Sequence, residues 1–341
     1  MTEAPRLTAK DGLRYTYWTV SDLICTLVHI SDPHFGTSFV IDDGPWWRRF
    51  VSRRAGLRYI SGAFPHSYQG AGALAYAVRD ILRDRGAAQI PAVVIHTGDL
   101  TASGARAEFS VGSTFLRHGH YLANGVVSGL RLDTEFKQLC FDVPGNHDLW
   151  HRTSLRDHEA YTSYYGGCYP TSLKIQTPGG RVYLYGLDSN RGSLLQHRLA
   201  YGEIAATALE PLCENLRREK NSGAIQVVCL HHPLFFRQRT APRIGGVQIL
   251  TLRHREAIAK LLSDAGVHLV LAGHIHRQQH QNRSSDAPLQ FIAGSACQIG
   301  ERPSFWMLDL FQNGVEYTYF HIPKGKLQFE PAQSRSGFAA Y

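Results

Sequence analysis

Short apolar runs rich in β-branched residues alternate along the chain with longer segments of helical periodicity. An apolar run of roughly four to eight residues is typical of a strand buried in a sheet. Six such strands are predicted: Ile24–Ile30, Ala92–His96, Leu139–Val143, Val182–Leu187, Ile225–Leu230 and His268–Ala272. The helical segments between them are Ala71–Arg85, Ile204–Lys220 and Arg253–Ala265. This alternation predicts an α/β layered fold with a buried central sheet.

The C-terminal third has a different pattern. Its segments PLQFIAGSA, SFWMLDLF and VEYTYFHI are strand-like, and Asn313-Gly314 between the last two is a typical hairpin turn. Antiparallel strands packed beside the α/β part are therefore expected. Because the chain has no internal repeat or convincing linker, a single domain over residues 1–341 is predicted. Its core is residues 24–322, with an insertion at 37–69 and peripheral termini at about 1–22 and 324–341.

The composition indicates which kinds of binding partner the protein favours. Lys and Arg number 36 against 28 Asp and Glu, which gives a formal net charge of +8 and favours anionic partners. These include phosphorylated small molecules, nucleic acid and anionic membranes. The six cysteines form no CxxC pair, which is typical of a reduced, cytoplasmic protein. The N-terminus is too polar for a secretory signal, and no apolar run approaches the roughly 20 residues of a membrane span.

Five of the predicted strands lead directly into polar, metal-competent clusters. These clusters are Ser31–His34, Thr97–Asp99, Pro144–Asp148, His231–Pro233 and Gly273–His276. In layered α/β sheets, ligands bind beyond the carboxyl ends of the strands. We therefore expect the five clusters to converge on one site. Gly98, Gly145 and Gly273 are expected where the backbone needs unusual angles or close approach.

The donor types in these clusters indicate the kind of metal. They are carboxylate oxygens, imidazole nitrogens and one amide oxygen, without a thiolate. Such a mixed set suits Mn, Fe, Zn or Co better than Ca or Mg, which prefer oxygen ligands alone. About seven ligands exceed what one ion needs. They fit two ions that share a bridging carboxylate and lie about 3.5–4 Å apart.

In chain order these motifs are DPH, GD, GNHD, HHP and GHIH. Together they resemble the five-motif pattern of the calcineurin-like metallophosphoesterase superfamily, in its bacterial-type phosphodiesterase and phosphohydrolase branch. The resemblance covers residues 24–322. Each motif alone is weakly or moderately specific, whereas the ordered set is very specific. The resemblance implies an α/β/β/α sandwich in which two central mixed β-sheets are flanked by helices.

The resemblance also implies the role of each site residue. The ligands of the first metal ion would be Asp32, His34 and His276. Those of the second would be Asn146, His231 and His274, and Asp99 would bridge the two ions. His147 would sit beside the scissile phosphate, where it binds a phosphate oxygen or protonates the leaving group.

Several of these residues also have ordinary structural interpretations. Asp32-Pro33 could be a simple turn, and Asp99 could cap a helix that begins near Ser103–Ala105. His232 is the alternative to His231 as the ligand in its loop. The residues expected to be structural or capping are Asp148, Asp188 and Ser189. Histidines outside the motifs are expected to be solvated or locally hydrogen-bonded, among them His66, His96 and His254.

The implied activity is a metal-dependent hydrolysis of phosphoric esters, with in-line attack on phosphorus by a metal-bridging hydroxide. A phosphodiesterase that uses Mn or an Fe/Mn pair is favoured. The alternatives on the same site are a nucleotide-lipid pyrophosphatase and a phosphomonoesterase. From another class, a non-catalytic metal-binding scaffold would also share the fold. No dedicated nucleic-acid domain is expected.

The insertion contains an unusual segment, Trp46–Tyr59, which mixes aromatic residues with five arginines and has no acidic residue. Three interpretations stay open. It is a surface insertion packed on the body, a lid that clamps phosphate, or an interfacial segment that lies on anionic lipid. The last would make the protein a peripheral membrane protein.

Overall fold

The computed structural model describes residues 22–36, 39–40, 66–118, 130, 139–149, 155–166, 169–190, 201–237, 243–244, 247–248, 252–298, 303–324 and 326–341. Trp46–Tyr59 lies outside these residues. The α-helices of the described part are α1 (Tyr68–Ala87), α2 (Arg106–Ser113), α3 (Leu155–Tyr165), α4 (Ala206–Glu219) and α5 (Arg255–Asp264). Its strands are β1 (Cys25–Ile30), β2 (Phe39–Val40), β3 (His66–Ser67), β4 (Ala92–His96), β5 (Leu139–Asp142), β6 (Thr171–Thr177), β7 (Gly180–Gly186), β8 (Ile225–Cys229), β9 (Arg243–Ile244), β10 (Val247–Gln248), β11 (Leu269–Ala272), β12 (Gln279–Gln281), β13 (Leu289–Ile292), β14 (Ser304–Phe311), β15 (Gly314–His321), β16 (Glu330–Pro331) and β17 (Gly337–Ala340).

Two large mixed sheets form the centre of the molecule. The first has the order β16-β15-β14-β1-β4-β5, with β17 also paired to β15. In it β1, β4 and β5 are parallel, and β14 joins β1 in antiparallel register. The second has the order β12-β13-β11-β8-β7-β6, with β7, β8, β11 and β13 parallel. Two small pairs, β2–β3 and β9–β10, lie outside these sheets.

The sheets pack face to face, and helices cover their outer faces. Leu27 and Leu308 of the first sheet belong to one apolar cluster with Val227 and Phe291 of the second. Neighbouring Val28 points the other way, into a cluster with residues of α1, α2 and α3. This reversal follows from the two-residue period of a strand. A third cluster joins the outer face of the second sheet to α4 and α5. The predicted α/β/β/α sandwich of two mixed sheets is confirmed.

All six strands and all three helices that the apolar pattern predicted are present in the structure. The antiparallel strands predicted for the C-terminal third include β14 and β15, which pair with each other across the Asn313-Gly314 turn. They do not form a separate unit beside the α/β part. Instead, β14 and β15 extend the first sheet, because β14 pairs with the free side of β1 from Cys25↔Leu310 to His29↔Trp306. Strand β13 extends the second sheet as a parallel neighbour of β11. Such pairings between distant parts of the chain leave no local sequence signal.

In the described part of the chain, no helix combines the length and the apolar character needed to cross a bilayer. The C-terminal residues contribute β16 and β17 to the edge of the first sheet. The five described cysteines are free thiols: Cys25, Cys140, Cys213, Cys229 and Cys297.

Candidate metal centre

The five polar clusters meet at one edge of the sandwich. Within each sheet the strands that precede them are parallel, so their carboxyl ends lie at the same edge. Backbone hydrogen bonds then tie the loops together. Asp32 N–H donates to Gly98 O at 3.1 Å, and Gly273 N–H donates to His231 O at 3.0 Å. The predicted convergence of these clusters is confirmed.

One group of donor atoms comes from Asp32, His34, Asp99 and His276, all lying within 4.8 Å of one another. The Nε2 atoms of His34 and His276 are 3.1 Å apart. Asp99 Oδ2 lies 3.4 Å from His34 Nε2, and Asp32 Oδ1 lies 3.4 Å from His276 Nε2. Two imidazoles and two carboxylates therefore surround one point.

A second group contains Asp99, His231 and His274, again within 4.8 Å. His231 Nε2 lies 3.1 Å from His274 Nδ1 and 3.1 Å from the side-chain oxygen of Asn146. It also lies 3.4 Å from Asp99 Oδ2. A single oxygen of Asp99 is thus equally close to a histidine of each group.

These distances fit bound transition-metal cations. Two ligand nitrogens on one ion, each about 2.0–2.1 Å from it, are about 2.8–3.4 Å apart at octahedral or tetrahedral angles. The facing nitrogens in both groups are 3.1 Å apart. A hydrogen bond would account for one such pair. Two pairs on either side of one carboxylate oxygen are what two cations with a common ligand require. Asp32 Oδ1 also accepts no hydrogen bond from the described residues, although it is buried.

Hydrogen bonds outside the donor groups orient two of the imidazoles. His231 Nδ1 lies 2.7 Å from the carbonyl oxygen of Thr97, and His276 Nδ1 lies 3.0 Å from the amide oxygen of Gln298. Because both oxygens only accept, each Nδ1 carries the proton. In the neutral ring, each Nε2 therefore presents its lone pair to the centre, as metal-binding histidines do.

The backbone at these loops is strained. Of the seven non-glycine residues with left-handed φ in the described part, five are predicted ligands: Asp32, His34, Asp99, His274 and His276. Each such residue costs on the order of 1–3 kcal/mol, and this strain is concentrated at functional sites in proteins.

Glycine is required where the loops approach each other. A Cβ on Gly145 would overlap the backbone and carboxylate of Asp99, and one on Gly273 would overlap the hydroxyl of Ser31. Gly98 has a φ of +98°, and a Cβ there would lie 2.5 Å from His231 Nδ1. The sequence-based expectation for all three glycines is confirmed.

The electrostatics of the second group shift the pKa values of its two histidines in opposite directions. Burial disfavours the charged imidazole of His231, but Asp99 outweighs this penalty and raises the pKa to about 9. Burial and the neighbouring charge of His231 lower the pKa of His274 to about 3. A cation that binds this group must therefore displace a proton from His231.

His147 lies beside both groups without belonging to either. Its ring centroid is 4.5 Å from that of His34, in an edge-on arrangement. Its backbone N–H donates to Asp99 Oδ1 at 2.8 Å, and its Nδ1 donates to the carbonyl oxygen of Ala102 at 2.9 Å. Burial lowers the pKa of His147.

Asp148 has the structural role that its position predicted. Its carboxylate accepts hydrogen bonds from the backbone N–H groups of Gly145 (2.9 Å), Thr101 (2.8 Å) and Leu100 (3.4 Å). It also accepts from the hydroxyls of Thr101 and Tyr165. Burial, with Asp99 nearby, raises its pKa to about 6. Asp148 thus joins the loop that carries Asp99 to the loop that carries Asn146.

The structure also shows where the other residues with two interpretations lie. His232 lies outside both donor groups, and its Nδ1 is 2.9 Å from the hydroxyl of Ser189. The helix that Asp99 could have capped begins at Arg106, where Glu108 accepts from Ser103 instead. Asp188 accepts hydrogen bonds from Asn190, which donates to the carbonyl oxygen of Pro144.

Sequence patterns missed two histidines near the centre. His66 is fully buried, and its donor atom lies within 4.8 Å of donor atoms of His34 and His276. His96, at the end of β4, is also fully buried, and neither ring nitrogen has a hydrogen-bond partner among the described residues. The expectation for His96 was wrong. Neither histidine belongs to a motif, so no signal in the sequence distinguished them.

Comparison with known proteins agrees with this geometry. Residues 25–278 match the sequence model of the calcineurin-like phosphoesterases, and the chain belongs to that family. A dimetal phosphatase from Danio rerio has a similar fold (14% identity, TM-score 0.53, covering 94% of this chain and 100% of that one). So does GAP50, the anchor in the inner membrane complex of Plasmodium (12% identity, TM-score 0.51, 90% and 88%). No curated protein matched.

Family membership supports a metal-dependent phosphoester hydrolase. The two donor groups are compatible with the pair of metal ions that the family typically binds.

Proposed function

We propose that this protein is a dinuclear metal-dependent phosphohydrolase and that it acts as a phosphodiesterase. The observation that carries the proposal is the position of Asp99 Oδ2, 3.4 Å from His34 Nε2 in one donor group and 3.4 Å from His231 Nε2 in the other. A carboxylate oxygen placed between two donor groups supports a two-metal site, in which the cations lie about 3.5–4 Å apart.

The proposed ligands of the first ion are Asp32, His34 and His276, and those of the second are Asn146, His231 and His274. Asp99 serves both ions. The oxygen and nitrogen donors favour Mn or an Fe/Mn pair, with Zn and Co as alternatives. When bound, the two cations supply an activated water and neutralise charge on the phosphate oxygens.

In this proposal His147 acts on the substrate. Its Nδ1 already donates to Ala102 O, so a proton on Nε2 makes the ring an imidazolium that can donate to a phosphate or leaving-group oxygen. The negative charge of a bound phosphate counteracts the lowering of its pKa by burial. Asp148 and Asn190 hold the loop that carries His147 in place.

The diester preference rests on the resemblance to the bacterial-type branch of the family. Nucleotide-lipid pyrophosphates and phosphomonoesters are the alternative substrates on the same site. The net charge of +8 is consistent with any of these anions. The cytoplasmic location and the peripheral membrane contact through Trp46–Tyr59 stay predictions.

A non-catalytic scaffold is the second candidate function. The fold is shared with GAP50, which is described as an anchor. The donor groups argue against this candidate, because a scaffold has no need for five strained ligand residues, in three loops, at one point.

The decisive experiment is a substrate panel with the purified protein and added Mn²⁺. The panel contains cyclic nucleotides, an aryl phosphodiester, an aryl phosphomonoester and a nucleotide-lipid pyrophosphate. We expect hydrolysis of at least one phosphodiester that stops on chelation and returns with Mn²⁺. Metal binding without hydrolysis of any compound would favour the scaffold, and preference for the monoester or pyrophosphate would replace the diester assignment.

A further inference from the structure

His66 is the buried histidine that the motif pattern leaves unexplained. It lies in the short strand β3, at the C-terminal end of the insertion and directly before α1. Its ring centroid is 4.7 Å from that of His34 and 5.9 Å from that of His276. Two of the proposed ligands of the first ion are thus its neighbours.

A hydrogen-bond relay connects His66 to Asp32, the third of those ligands. The hydroxyl of Ser295 donates to the carbonyl oxygen of Asp32 at 2.8 Å, because a carbonyl oxygen only accepts. The same hydroxyl lies 3.1 Å from His66 Nε2, so it accepts from that nitrogen. His66 therefore supports the backbone of Asp32, where φ is +52°.

A second connection leads from His66 to His276. The backbone of His66 forms an antiparallel bridge with Gln298. The side-chain oxygen of Gln298 accepts from His276 Nδ1 at 3.0 Å. This contact directs His276 Nε2 towards His34 Nε2. The segment at His66 thus supports both an imidazole and a strained carboxylate loop of the same donor group.

We propose that His66 is a positioning residue for the first cation, and that it holds Asp32 and His276 in the geometry that binds a transition metal. This inference rests on the proposed two-metal function. Hydrogen bonds behind metal ligands typically contribute about 10–100-fold to metal affinity. The loss of His66 should therefore weaken one of two cations and spare the other.

The test is a titration of chelator-treated protein with Mn²⁺, in which bound metal is counted and the affinity of each site is measured. Three variants are compared with the native protein. His66→Leu fills the space without a donor, His66→Gln restores an N–H near Nε2, and His280→Leu is a control histidine outside the centre. We expect two sites in the native protein and the control. We expect one site weakened about 10–100-fold in His66→Leu, with recovery in His66→Gln.

Double variants assign the weakened site. In a protein that already carries His276→Ala, which disables the first position, His66→Leu should cause little further loss of Mn²⁺ affinity. In a protein that carries His274→Ala, which disables the second position, His66→Leu should weaken binding of the remaining cation by the full factor. If His66→Leu does not fold, Ser295→Ala removes the relay alone and should weaken the same cation.

The two proposals fail in different ways. Native protein that binds no Mn²⁺ overturns the proposed function. Native protein that binds two ions, with unchanged affinities in His66→Leu or Ser295→Ala, overturns the role of His66 and leaves the two-metal site intact. Equal weakening of both ions in His66→Leu also contradicts the inference.

Discussion

The interface between the two sheets and the loop edge of the same sheets are equally buried but chemically opposite. Leu27 lies in β1 and Asp32 follows it by five residues, and both have 0% exposed surface. Leu27 packs in the apolar cluster between the sheets, where a fully buried side chain contributes about 1.5–3 kcal/mol. Asp32 has a left-handed backbone and a buried oxygen that accepts no hydrogen bond from the described part of the chain. The apolar interior stabilises the fold, whereas the buried polar groups and strained backbone of the loop edge lower its stability.

This comparison separates two kinds of substitution. Changes in the interface should alter stability and leave the rate of each folded molecule unchanged. Changes at the loop edge should alter metal binding or rate, with small or even favourable effects on stability.

The largest effect is expected for Asp99→Asn, which removes the charge shared by both donor groups. Loss of several kcal/mol of charge stabilisation lowers the Mn²⁺-dependent rate by about 10³-fold or more. Metal content and aryl phosphodiester hydrolysis are measured together. Asp309→Asn is the matched control, since Asp309 bonds to Thr26 and Arg85 away from the centre. A normal rate in Asp99→Asn would remove the bridging role.

His147→Ala should cost about 10²–10⁴-fold in rate, as loss of a proton-transfer group does. Both cations should still bind, because His147 belongs to neither donor group. Turnover and bound Mn²⁺ are measured on the same samples. Turnover equal to that of the native protein would exclude His147 from the reaction, and loss of metal would make it a ligand.

Phe291→Ala represents the interface. Phe291 is fully buried between the sheets, and its truncation should lower the free energy of unfolding by about 3–5 kcal/mol. The kcat of the folded fraction should not change. Urea denaturation and turnover at low temperature measure the two quantities. A fall in kcat with intact structure would mean that the interface and the edge are coupled.

His268→Asn tests pH dependence away from the centre. Burial, followed by the charge of Arg283, lowers the pKa of His268 from 6.5 to about 4. Between these values the unfolded chain binds a proton that the folded one does not, so His268 makes stability fall as pH drops from 6.5 to 4. In the variant, the free energy of unfolding should depend less steeply on pH, by up to about 1.4 kcal/mol per pH unit. An identical slope in both proteins contradicts the assignment.

The smallest effect concerns strain outside the site. Gln89 follows α1 with a φ of +57° and is exposed, so Gln89→Gly should stabilise the protein by about 0.5–1 kcal/mol. Thermal unfolding measures the effect. Destabilisation by Gln89→Gly would count against strain at that position.

Much of the candidate site could be predicted because its residues occupy positions defined by the strands. Asp32, Asp99, Asn146, His231 and His274 each follow a recognisable apolar run, and the structure brings all five together. His66 could not be found in this way, since its role depends on contacts with Ser295 and Gln298, more than two hundred residues away in sequence.

The order of strands and helices, the five polar clusters and their donor chemistry were determined by the sequence alone, because buried strands need apolar residues and metals need particular ligand atoms. The tertiary structure alone decided that β14 pairs with β1 and that His66 supports the ligand loops. These features arise from pairing and packing between distant segments, whose free energies depend on three-dimensional proximity and leave no periodic pattern in the chain.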